Sequence, residues 1–285
     1  MRRTFLMPLT VMVVLAAFHP PAEPFFIQRH LADLEVRPDD LTSGARGAIY
    51  QPIFGIGAPD SERLRGVARC GLLTVGPGGS SVVVPYPAEE QIYYILEGGG
   101  TLVYEDRRVP VQKDDFMYLP VRSRHGMANE SDAPVRVIVM GFRIPAGQRA
   151  AGALELQLAN AAEVPLQALS SHGPTTQFRL LMGQTMSRRD KLAAACQMTS
   201  LFIMDFAAGG NNNPHSHAAE EEIYLLMRGS GEIVAGKTAD GQDARHPVKE
   251  GAVFFFGPGT RVGYYSGAKE GQEHDLILAA RSRLE

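Results

Sequence analysis

Glu90-Gln91-Ile92-Tyr93-Tyr94-Ile95-Leu96-Glu97-Gly98 and Glu221-Glu222-Ile223-Tyr224-Leu225-Leu226-Met227-Arg228-Gly229 are one strand pattern written twice, each running into a glycine turn. Upstream of each lies another strand and a Gly-Gly turn: Leu72 to Val75 before Gly78-Gly79, and Leu201 to Phe206 before Gly209-Gly210. Downstream of each, a strand ends at a proline, Phe116-Met117-Tyr118-Leu119-Pro120 and Val253-Phe254-Phe255-Phe256-Gly257-Pro258. The order is the same both times. Duplicated short strands with closely spaced turn signals predict an all-β chain of two sandwich or barrel domains. The boundary falls in Ile144 to Ala162, where Pro145-Ala146-Gly147 opens an Ala-rich stretch that reads as a linker or a short helix.

Composition agrees. The 285 residues are 45% hydrophobic and 21% charged, with 30 Gly, 19 Pro and no Trp, which excludes disorder and suits short strands joined by turns. A formal charge of -3, with Lys and Arg scattered rather than striped, leaves no basic footprint and excludes a nucleic-acid partner. Met1-Arg2-Arg3 precedes an apolar run from Phe5 to Phe18, shorter than the roughly 20 residues that span a bilayer. Residues 1–22 therefore read as an export signal ending in small residues near Ala16 and Ala17, with an apolar N-terminal strand or helix as the alternative. Arg2-Arg3-Thr4-Phe5-Leu6 resembles the twin-arginine signal, so the expected destination is periplasmic or secreted, with no membrane segment left after cleavage. Cys70 and Cys196 lie in apolar strand-like stretches and read as small buried hydrophobes, although an oxidising compartment would let them pair.

The two halves resemble the cupins, and specifically bicupins with two such barrels in one chain, over Gly44 to Phe142 and Gln177 to Ala280. The resemblance implies tandem double-stranded β-helix (jelly-roll) barrels, here placed at 43–148 and 163–285. The family's first motif runs His-x-His, four residues, Glu, six residues, Gly. The C-terminal half supplies it as His215-Ser216-His217, Glu222 and Gly229. The second motif is followed through Gly257-Pro258-Gly259, but Val262 stands in the histidine place and Ser266 in the asparagine place, which removes one expected ligand. In the N-terminal half the losses are opposite. Val84 and Tyr86 replace the two histidines and Gln91 the glutamate, while His125 and Asn129 remain. One imidazole does not hold a transition metal well, so this barrel reads as metal-free.

Strand geometry supports the C-terminal set independently, because residues i and i+2 point to one face. His215, His217 and Glu222 would then converge on one divalent transition metal, of which Mn, Fe, Zn, Ni and Cu all suit two imidazoles and a carboxylate. Among Glu220, Glu221 and Glu222 the spacing to Gly229 selects Glu222. Alternation puts Glu220 on its side and Glu221 opposite, toward solvent. Tyr224, Phe254 and Phe256 are candidate pocket walls, and Tyr264 is either a substrate-orienting phenol or core. Tyr86, Gln91 and His125 would line a polar pocket in the N-terminal barrel or form a satisfied hydrogen-bonded cluster. His30, His172, His246 and His274 receive no role.

Two functions remain open. One is a mononuclear metal enzyme acting on a small organic substrate, with the two-His, one-carboxylate set tilting it toward a dioxygenase. The other is a non-catalytic binding protein for a carbohydrate or organic acid. The resemblance also implies a homodimer.

Overall fold

In the strand Glu89–Glu97, Tyr93 and Ile95 point one way and Ile92 and Tyr94 the other, and all four are fully buried. A strand covered on both faces needs no polar alternation, which is why its sequence reads as a continuous apolar run. The computed structural model describes residues 24–147, 155–169 and 172–284, and almost every element among them is a strand. The expected export signal lies outside the described residues.

Two equivalent arrangements build the molecule. In the C-terminal half, strands Ala252–Phe256, Glu220–Arg228, Asp275–Arg283, Met198–Phe206 and Thr176–Gln184 lie side by side in one sheet. A four-stranded sheet of Asn211–His215, Val262–Ser266, Ser230–Lys237 and Asp243–Lys249 completes the barrel. The N-terminal half repeats this order with Asp115–Leu119, Glu89–Glu97, Val135–Arg143, Val67–Ser80 and Arg46–Gly55. The chain thus has the bicupin fold, two jelly-roll barrels in tandem.

Each half also lends a strand to the other. Phe26–His30, ahead of the N-terminal barrel, pairs antiparallel with Ala252–Phe256 of the C-terminal one, Phe26 opposite Phe256. Gln157–Asn160, ahead of the C-terminal barrel, pairs with Asp115–Leu119 of the N-terminal one. Among its described residues, the stretch read as a linker or short helix holds the strand Gln157–Asn160 and runs into a 3-10 turn, Ala161–Glu163. Strand exchange covers edges that would otherwise expose unpaired backbone groups.

Three apolar cores follow. One fills the N-terminal barrel around Tyr50, Leu73, Tyr93 and Val139. A second fills the C-terminal barrel around Phe206, Tyr224, Phe254 and Tyr264. The third lies between the barrels and draws on both, with Leu72, Ile92 and Ile138 facing Leu201, Ile223 and Leu278. Cys70 belongs to this shared core, and neither cysteine is paired.

Two buried carboxylates lock the halves together. Glu221 accepts hydrogen bonds from the backbone N–H groups of Arg65 (2.7 Å), Gly66 and Val67 (2.8 Å each). Glu90, its counterpart, accepts from those of Cys196 (2.7 Å), Gln197 (2.8 Å) and Met198 (2.7 Å), and from the Tyr118 hydroxyl at 2.9 Å. This corrects the expectation that Glu221 faces solvent: it does point away from Glu222, but what lies on that side is the other barrel. Alanine at either position should cost about 3 kcal/mol, because three buried N–H donors lose a charged acceptor. Glu97→Ala, which removes the exposed partner of Arg136, should cost under about 1 kcal/mol. Urea unfolding reads the difference, and equal losses would mean that the clamp is dispensable.

Candidate metal centre

His215 ends its strand and His217 follows two residues later, before the turn into Glu220–Arg228 that brings Glu222 up beside them. One ligand atom from each of the three falls within 4.8 Å of the other two. The His215 Nδ1 lies 2.8 Å from the Asn213 carbonyl, which can only accept, so Nδ1 carries the proton and Nε2 keeps its lone pair. The His217 Nδ1 lies 3.4 Å from the Glu220 carboxylate, an acceptor ready for its proton if Nε2 turns to an ion. The two Nε2 atoms are 3.1 Å apart, and Glu222 Oε2 is 3.5 Å from that of His217. Two donors each roughly 2.1 Å from one ion and at right angles sit about 3.0 Å apart, so the imidazoles fit a shared cation. Glu222 Oε2 is buried without any hydrogen-bond partner. Two imidazole nitrogens this close, sharing a single proton, and an orphaned carboxylate oxygen are what an ion displacing that proton would satisfy.

Charge is costly here. Burial pushes the Glu222 carboxyl up to about 8, against the pull of the Arg281 guanidinium. Burial, then Arg281 and His215, hold His217 down at about 4, and burial also lowers His215. Neutral imidazoles are the metal-binding form. Val262, in the family's fourth place, is buried opposite His215 and offers no donor.

The three groups open on a cavity of about 70 Å³. Tyr224 lines it, with its hydroxyl accepting from Asn212 Nδ2 at 2.8 Å. Phe254, Phe256 and Tyr264 do not reach it. Phe254 and Phe256 pack in the barrel core, Phe256 edge-on to Tyr224, and Tyr264 donates to Asp275 at 2.9 Å. The expectation that Phe254 and Phe256 are pocket walls is thereby corrected, and for Tyr264 the core reading holds. Residues without a sequence signature take their place: His172, Arg189, Ser200, Asn212 and Arg281 line the cavity alongside the ligand set. Arg281 is the most visible afterwards, a cation in the apolar run Leu276-Ile277-Leu278-Ala279-Ala280.

The N-terminal barrel solves the same layer differently. Arg69, opposite Gly141 in register, is buried between Asp39 and Glu89 at 3.0 Å each, and its guanidinium stacks 4.4 Å from the Tyr86 ring. A side chain on Gly141 would run into Arg69, Gln91 and Glu89. In the C-terminal barrel the equivalent pair is Ser200 and Arg281, so each barrel carries one guanidinium on a different strand. Tyr86, Gln91 and His125 are all buried: Gln91 donates to Glu89 at 2.8 Å, and His125 sits between Tyr86 and Tyr93 with Nδ1 on the Ser123 carbonyl at 2.9 Å. They form a packed cluster rather than an open pocket, with the His125 Nε2 and Gln91 Oε1 left unpartnered.

Comparisons place these barrels among known proteins. The sequence profile of the cupin domain matches residues 71–141. A stretch of 65 residues is 28% identical to an uncharacterized protein of Methanocaldococcus jannaschii, covering 23% of this chain and 52% of that protein, about half its length. The fold of protein Ylba from E. coli superposes with a TM-score of 0.68 at 16% identity, over 95% of this chain and 96% of that one. Oxalate decarboxylase of Bacillus subtilis, which has Mn(II) centres, gives 0.63 at 11% identity over 93% and 78%. Vicilin of hazelnut (Corylus avellana) gives 0.60 at 11% over 90% and 87%.

Burial holds His125 down at about 4, against its hydrogen bond to Ser123. Between pH 6.5 and about 4 the unfolded chain takes up a proton that the native one does not, so stability falls as pH drops through that window. The full contribution is roughly 3 kcal/mol. The gap in unfolding free energy between wild type and His125→Asn should therefore shrink from pH 7 to pH 4 in urea titrations. A constant gap would show that the imidazole is not held neutral.

Proposed function

The chain is a bicupin by fold, and on that footing we propose that its C-terminal barrel is a mononuclear divalent-metal enzyme acting on a small organic substrate. The observation that carries the proposal is the convergence of the His215 and His217 Nε2 atoms and the orphaned Glu222 oxygen on one cavity. When bound, the ion would supply Lewis-acid polarisation of an oxygen-bearing substrate or, as iron(II), redox chemistry with dioxygen. Three protein ligands with Val262 in the fourth place leave positions for substrate, and this set favours the dioxygenase reading over decarboxylation or isomerisation. Manganese, present in the B. subtilis decarboxylase, is an equal candidate on ligand chemistry.

The chain's own residues do the rest. Asn213 holds His215 in the Nδ1–H tautomer, Glu220 stands ready to do the same for His217 once its Nε2 binds an ion, and Tyr224 with its Asn212 partner fixes one wall. Leu180, Phe202 and Met204 give the cavity an apolar side that limits water around the reacting groups. Arg69, Tyr86 and Gly141 give the N-terminal barrel a packed, internally neutralised interior, so its role here is support.

Metal analysis of protein purified without a polyhistidine tag should find about one equivalent of a transition metal per chain, falling below roughly a tenth in His215→Ala and Glu222→Gln. Glu221→Gln, whose carboxyl points at the other barrel, should retain it. A wild-type content already below a tenth, unchanged by His215→Ala, would end the enzyme proposal. With metal present, oxygen uptake on a panel of small acids and phenols separates a dioxygenase from the non-oxidative alternatives.

A further inference from the structure

Arg281 holds a position that the ligand set alone does not explain. It sits directly across from Glu222 in register, and its Nε stands 3.8 Å from Glu222 Oε1 with no hydrogen-bond partner. Its Nη1 is 3.5 Å from Glu220, too far for a good charge-assisted bond, and its guanidinium lies 5.4 Å from the Phe202 ring, which restricts its tilt. A second guanidinium, Arg189, lines the same cavity and reaches Ser200 at 3.3 Å. We propose, resting on the metal reading above, that Arg281 is the specificity-determining residue for a short carboxylic acid carrying an oxygen or nitrogen function on the adjacent carbon.

Three features fix that class. First, charge: Glu222 is the one carboxylate among the lining residues, against the guanidiniums of Arg281 and Arg189 with Glu220 and Asp190 beside them, and a divalent ion held by Glu222 leaves the site net positive. The loaded cavity therefore attracts an anion. Second, reach: Arg281 Nε is only 3.8 Å from the Glu222 carboxylate, so a molecule meeting both the guanidinium and an ion held by Glu222 would need its two polar groups close together, as on adjacent carbons. Third, size: the cavity of about 70 Å³ opens to solvent, and its interior takes only a few water-sized groups, which suits the head of a short acid. Phe178, Leu180 and Met204 offer the remainder an apolar wall, suited to a methyl or ethyl group rather than a sugar.

The test is calorimetric and independent of turnover. Metal-loaded wild type is titrated with glycolate, L-lactate and pyruvate, and with glycolamide and lactamide, which keep the shape and lose the charge. At least one acid should bind about tenfold tighter than its amide, since a carboxylate facing a guanidinium is poorly replaced by a neutral group. Arg281→Gln should abolish most of that preference while metal content stays near one equivalent, and Arg281→Lys should restore part of it. Should Arg281→Gln misfold by circular dichroism, Arg189→Gln, at a half-exposed position, should still lower acid affinity about threefold. Amides binding as tightly as acids, no acid binding at millimolar concentration, or an acid preference that survives Arg281→Gln would overturn the inference. Absence of metal would defeat only the reading beneath it: an acid preference present without metal and lost in Arg281→Gln would leave the carboxylate assignment standing alone.

Discussion

Two carboxylates with no solvent, Glu90 and Glu221, set the register of everything else. Each leaves its own barrel to gather three consecutive backbone N–H groups of the other, across a shared apolar core. In a strand, neighbouring residues face opposite sides, so fixing Glu221 on the inter-barrel side forces Glu222 into the barrel interior. A slip of one residue would bury the ligand carboxylate between the barrels and turn the clamp toward the cavity. The same strand thus carries an architectural charge and a chemical one, adjacent in sequence and back to back in space. Gly66 belongs to this arrangement, because a side chain there would press on Ser282 and on the Glu221 carboxylate.

The duplicated fold was readable because its signals are local. Strand runs, Gly-Gly turns and terminal prolines repeat in order, and the six-residue spacing to Gly98 and Gly229 reflects a turn that both halves make with positive φ, 75° and 95°. His215, His217 and Glu222 were readable for the same reason, lying within eight consecutive residues. What escaped depends on which strands become neighbours. Phe26–His30 and Gln157–Asn160 cross to the opposite barrel, and no periodicity within five or four residues says which edge they will cover. Glu221 looked like a surface acid because its acceptors' partners lie more than 150 residues away. Arg281 and His172 reach the cavity from the last strand and from the approach to the C-terminal barrel, so neither has a spacing to the ligand motif that a sequence could display. Phe254 and Phe256 were misplaced for a subtler reason: they share a face with Tyr224 and Glu222, but depth along the barrel is not written in the sequence, and they lie in the core behind Tyr224.

The two barrels have diverged by moving a cation. In the N-terminal one Arg69 grows from the strand where the other has Ser200, and Gly141 makes room for it where the other has Arg281. Asp39 and Glu89 neutralise Arg69 on the spot, and Tyr86, in a histidine's place, supplies a ring for it to lie on. A buried charge flanked by two carboxylates and an aromatic face is settled, with nothing left to recruit. In the C-terminal barrel the guanidinium is only loosely met by Glu220 and Glu222, at 3.5 and 3.8 Å, and the histidines remain.

Missing ligands in both halves therefore carry different meanings. Loss of two histidines and a glutamate in the N-terminal barrel is matched by residues that fill the volume and balance the charge, which is how a site closes. Loss of a single histidine in the C-terminal barrel is matched by Val262, which fills volume but supplies no donor and no charge. The two Nε2 atoms stay 3.1 Å apart, facing one another, and Glu222 keeps an unsatisfied oxygen in a buried place. Such an arrangement is expensive in a folded protein unless something binds there, because an uncompensated buried acceptor costs free energy that packing alone would have removed. The N-terminal barrel also keeps unpartnered acceptors, His125 Nε2 and Gln91 Oε1, but inside a packed cluster beside a neutralised guanidinium; only the C-terminal set turns two imidazoles and a carboxylate onto one accessible cavity, which supports the proposal of a cation with open positions.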